Sequence, residues 1–96
     1  MITKHKELIT EVVMRLKNNP TTTLTQYNNY LSTKQWYEQA IIRFFVYKVA
    51  MGLAEYHGVV LTNYTETQVL QKVRDWIVAT PAKKLSKVIF GEINQV

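Results

Sequence analysis

The segment Trp36–His57, WYEQAIIRFFVYKVAMGLAEYH, constrains the fold more than any other stretch of the chain. Apolar residues recur on almost every side of the helix it would form. At about 100° of rotation per residue, Trp36, Ala40, Phe44, Tyr47, Met51 and Ala54 line one face. Ile42, Val46, Val49 and Leu53 line a second face, well around the cylinder from the first. A helix with two apolar faces is expected to lie between neighbours on both sides. A membrane span is excluded by length. Arg43 and Lys48 interrupt the run, and the uncharged stretch falls well short of the roughly 18–20 residues a bilayer requires.

The neighbours can be read in order. Leu8, Ile9, Val12, Val13 and Leu16 recur at helical spacing within residues 3–18, with Glu11 and Arg15 as an i, i+4 pair on the solvent side. Asn18-Asn19-Pro20 stops this helix, because the residue before proline is pushed out of the α region. Thr23-Leu24-Thr25-Gln26 has the form of a capping box and opens a short helix with Leu24, Tyr27, Tyr30 and Leu31 on one side. Ser32-Thr33-Lys34-Gln35 offers a second box for the central helix, and Gly58 suits its left-handed end. Val59-Val60-Leu61 is too short and unpartnered for a sheet and is expected to be a buried connector. Thr65-Glu66-Thr67-Gln68 is a third box, before a stripe of Val69, Leu70, Val73, Trp76 and Ile77. Thr80 as N-cap and Pro81 at the first position would start a last helix, with Ala82, Leu85, Val88 and Ile89 inward and Gly91 at its end. The expected fold is all-α: a compact bundle of four to five short helices around one central hydrophobic helix, about residues 33–57. Residues 1–96 are expected to form a single helical domain.

Chemistry is harder to find than structure. With no cysteine, the chain has no disulfide, thiolate metal site or cysteine nucleophile. His5 and His57, its only histidines, are in no metal-ligand spacing, and Glu7 and Glu11 read as a solvated helix face. The three glycines are isolated, which excludes a phosphate-cradling loop. No catalytic residue, cofactor or metal site is expected. Thr65–Val69, TETQV, resembles the opening of a homeodomain recognition helix, but Leu70-Gln71-Lys72 follows where that family carries a Trp-Phe pair and an adenine-reading Asn. Trp76 therefore reads as core. MITKHKELI lacks the apolar segment of a signal peptide, so a cytoplasmic location is expected.

Places where local rules are broken supply the site candidates. Lysine opposes the macrodipole at a helix N-terminus, yet Lys4, Lys6, Lys34, Lys83 and Lys84 stand near helix starts, and Lys87 shares a face with Lys83. Converging N–H groups and ammonium charges suit an anion. Gly52, inside the central helix, costs about 1 kcal/mol relative to alanine and suggests a close helix crossing near Ala50 and Ala54. Among six tyrosines, Tyr27 and Tyr30 are the interface candidates, because tyrosine buries area at low entropic cost and keeps a polar tip.

The net charge of +5, with twelve basic residues against seven acidic, suits an acidic partner. Nine of the twelve are lysines, which disfavours arginine-based base readout. The expected function is a non-enzymatic interaction protein (an inhibitor, adaptor or regulatory subunit) that binds another protein through a basic, tyrosine-bearing helical surface. A basic bundle holding the nucleic-acid backbone through helix-N-terminal lysines is the alternative. A homodimer would use the row Ile42, Val46, Val49 and Leu53, should helices 1, 4 and 5 leave it uncovered. The Asn-, Thr-, Lys- and Ile-rich composition points to an AT-rich genome of the kind phages and mobile elements carry.

Overall fold

A computed structural model of the chain describes residues 2–87, with side chains from His5 onward. It is an all-α bundle. Helices α1 (Ile2–Asn18), α2 (Leu24–Ser32), α3 (Trp36–His57) and α4 (Glu66–Ala79) follow one another, with a 3₁₀ turn at Leu61–Asn63 before α4. Residues 82–87 are again helical. Among the described residues there is no strand, and no helix is long and apolar enough to cross a membrane. Val88, Ile89 and Gly91, expected in the last helix, lie outside the described residues, as does the side chain of Lys4.

Each helix begins and ends for a local reason. Thr23 Oγ1 accepts from the Gln26 N–H at 3.2 Å while Gln26 Oε1 accepts from the Thr23 N–H at 2.9 Å, a reciprocal cap. Thr65 and Gln68 repeat it at α4, and Glu66 in that first turn complements the dipole. At α1 the Asn19 side chain donates to the Arg15 carbonyl at 2.8 Å. Gly58, at φ 67°, takes the left-handed position that ends α3.

Two expected caps are corrected. Ser32 belongs to the last turn of α2, so α3 opens at Trp36 behind Gln35, whose N–H donates to Glu38 Oε1 at 3.0 Å. Thr80 turns back instead of capping forward, its hydroxyl donating to the Trp76 carbonyl at 2.5 Å. The Pro81 carbonyl then accepts the first N–H groups of the following segment. In both places two helices compete for one short connection, and the hydroxyl serves the helix before it.

α1, α3 and α4 pack against one another in all three pairings, and α2 rests on α4. The core at their junction holds Val12 and Leu16 of α1, Leu31 of α2, Ile42 and Phe45 of α3, and Val73 and Ile77 of α4. Polar ties secure the corners. Lys17 Nζ donates to the carbonyls of Thr80 at 2.7 Å, Val78 at 3.3 Å and Ile77 at 3.4 Å, closing the C-terminus of α4 from α1. Arg74 of α4 donates to the carbonyl of buried Thr22 at 2.9 Å, pinning the α1–α2 turn.

Two expectations about packing fail. Val59 and Val60 are exposed while Leu61 is partly buried against the core, so the connector is covered at its last residue and not along its length. Gly52 does not mark a close crossing: a Cβ added there would meet nothing within 4 Å.

Candidate interaction surface

The two apolar rows of α3 have opposite fates. Its 22 residues would extend about 33 Å at 1.5 Å per residue, nearly the longest dimension of the molecule, 34 Å. α1 and α4 cover one side of that length, and α2, nine residues long, packs elsewhere. The covered side is the row Ile42, Val46, Val49 and Leu53, with Phe45 and Ala50. The homodimer surface expected there is therefore corrected: Ile42 and Val46 are core residues of the monomer.

The uncovered side is the row that begins at Trp36. Trp36 is 79% exposed, Phe44 58% and Tyr47 53%, and Tyr37 and Met51 are also open. Ala40 lies exposed among them, and only Ala54, at the far end, is buried. Trp36 and Tyr37 meet edge to face, ring centres 5.7 Å apart. Lys48 places its ammonium 5.6 Å from the centre of the Phe44 ring, and exposed Arg43 flanks the other edge. Fixed aromatic rings and a methionine on one rigid helix, with cations at both margins, form an adhesive surface. Interface cores are enriched in these residue types, and a clustered apolar patch of this kind is uncommon on a monomer. The sequence carried the signal in its residue types. The buried row is aliphatic and largely β-branched, whereas the exposed row is aromatic and Met.

Tyr27 and Tyr30 take the opposite correction. Both are buried and hold α2 in place. The Arg15 guanidinium lies 4.6 Å and the Lys34 ammonium 5.4 Å from the centre of the Tyr30 ring. Burial raises the Tyr30 phenol above its ordinary range, with Glu11 adding to the effect. Burial pushes the Tyr27 phenol up to about 12, against a smaller opposing influence of Arg43. Neither ring is free to anchor a partner.

The lysines divide. Lys34 donates to Glu11 Oε1 at 2.8 Å, which with its charge holds the carboxyl below the usual range. Its side chain is largely covered, so it braces α1 and does not await an anion. Lys6, half-buried, also interacts within the molecule. Lys83, Lys84 and Lys87 are exposed. Glu11 answers Lys34 and not Arg15, so the expected i, i+4 pair on α1 gives way to contacts across helices.

Among the described residues no group of three or more His, Cys, Asp or Glu side chains converges as metal ligands would. No family model matches the chain, and no curated protein or solved structure is significantly similar to it.

Proposed function

We propose that this chain is a non-enzymatic interaction protein, an inhibitor, adaptor or regulatory subunit, that binds another protein through the exposed face of α3. The observation that carries the proposal is the run Trp36, Tyr37, Phe44, Tyr47 and Met51 standing open on the same helix whose opposite side forms the core. Such a surface is pre-organised: its backbone is fixed by the bundle, so little conformational entropy remains to be lost on docking. Arg43 and Lys48 at its margins favour a partner with an apolar groove and an acidic rim.

The test is a photo-crosslinking group at Met51 in chain exposed to nuclease-treated extract of the native host. A stoichiometric protein captured by the wild-type surface and lost with Phe44→Ala/Tyr47→Ala supports the assignment. Equal capture by the double variant, with its helical spectrum intact, would rule this face out.

A further inference from the structure

A cavity of about 260 Å³ opens where the C-terminal end of α3 and the first turns of α4 meet the 3₁₀ turn between them. The buried residues of α3 shrink along the helix, from Ile42, Phe45 and Val46 to Ala50 and Ala54. The cavity is found beside the small ones. Ala50 and Ala54 stand one helical turn apart, on the same side of α3, and their methyl groups leave room that a side chain of ordinary core size would take up. The apolar wall continues the core: Leu53, Leu61 and Val69 also line the cavity, each packed against the core cluster and partly open.

Buried alanines form the floor, and polar side chains stand at the mouth. Lys72 on α4 and His57 at the end of α3 both line the cavity and are both exposed. The Lys72 ammonium lies 5.9 Å from the centre of the Tyr64 ring, a third polar residue of the lining, and that contact holds the charge near the opening. The cavity therefore has two ends of different chemistry, one hydrocarbon and one cationic.

We infer that this cavity binds a small alkyl carboxylate of the medium-chain fatty acid class. The tail lies against Ala50, Ala54 and Leu53, and the carboxylate pairs with the Lys72 ammonium and accepts from the His57 imidazole. Size sets the chain length. An apolar cavity of about 150 Å³ accommodates benzene, so the volume here takes a ligand of about ten non-hydrogen atoms, the size of octanoate. Charge sets the head group, since an ammonium at the mouth favours a carboxylate over an alcohol and repels an amine. None of the exposed residues of the α3 aromatic face lines the cavity, so the two assignments stand or fall separately.

Isothermal titration of the full chain with octanoate tests the inference. Affinity should rise about fourfold with each methylene from butanoate to octanoate and level off in longer chains, whose tails outgrow the cavity. Lys72→Met should weaken octanoate about fivefold and leave octanol unchanged. Ala54→Leu fills the floor and should abolish binding. Val59 is an exposed residue of the lining, so Val59→Trp obstructs the mouth without disturbing the core and should also prevent binding. Phe44→Ala/Tyr47→Ala should bind like wild type. The inference is overturned if octanoate does not bind the wild-type chain, or if octanol or octylamine binds as tightly. It is equally overturned if Val59→Trp, with its helical spectrum intact, binds normally, or if Phe44→Ala/Tyr47→Ala loses binding.

Discussion

Phe44 and Phe45 are neighbours in sequence, identical in chemistry, and opposite in situation. Phe44 is 58% exposed beside Lys48, whereas Phe45 is 2% exposed within the core. One step of about 100° along α3 carries the chain from its stabilising side to its adhesive side. Hydrophobicity alone therefore does not mark a core position. What decides is whether another helix reaches it, and α1 and α4 reach one side of α3 only.

Truncating the two rings breaks the comparison most directly. Phe45→Ala should cost about 3–5 kcal/mol, the range for a fully buried phenylalanine. That is a large share of the roughly 5–15 kcal/mol of a whole domain, so chemical denaturation should show a marginal or unfolded protein. Phe44→Ala should leave stability within about 0.5 kcal/mol. Equal losses at both sites would mean that the exposed face is covered in solution.

Much of this was legible before the structure. Reciprocal caps at Thr23 and Thr65 and the glycine stop at Gly58 are local rules, satisfied within a few residues. The inward stripes of α1 and α4 are likewise set by periodicity, and the core cluster follows both. What escaped were questions of supply between distant segments. Whether Trp36 or Ile42 would be covered depends on how many helices exist to cover α3. Whether Lys34 would await an anion depends on Glu11, which lies 23 positions away. Tyr27 and Tyr30 depend on the same kind of supply: a tyrosine suits a core margin and an interface equally well, and only packing separates them.

The buried side can also be challenged by pH. Tyr27 is part of the core cluster, and its phenol is raised from 10.0 to about 12. A raised folded-state value means that stability is complete below the unfolded value and is lost as pH climbs through the folded one. Stability should thus hold up to about pH 10 and fall by roughly 2–3 kcal/mol by pH 12, at about 1.36 kcal/mol per unit. Denaturant midpoints followed across that range, together with tyrosinate absorbance, measure it. Tyr27→Phe should remove the Tyr27 share of this alkaline loss and leave the share of Tyr30, whose phenol is raised as well.

A smaller effect concerns how the covering helices are held. Lys17 ties α1 to the last carbonyls of α4, where a cation complements both the orphan acceptors and the dipole. Lys17→Met keeps most of the apolar stem and removes the charge, and should cost about 1–2 kcal/mol. Hydrogen exchange should localise the loss to the amides of the α4 C-terminal turn. If protection of the Phe45 and Ala50 amides fell equally, the tie would be a determinant of the whole buried side and not of one corner.

The smallest expected change runs in the opposite direction and probes the border between the two sides. Gly52 is exposed, helical and unopposed, so a methyl group there displaces nothing. Gly52→Ala should raise stability by about 1 kcal/mol through helix propensity alone, visible as a higher denaturation midpoint at unchanged slope. That gain is available without any rearrangement of the core, since neither Ala50 nor Ala54 shares the open space of the added Cβ. A loss of stability would instead show that a neighbour closes on this position in solution, and the border of the buried side would have to be redrawn one turn further toward Tyr56.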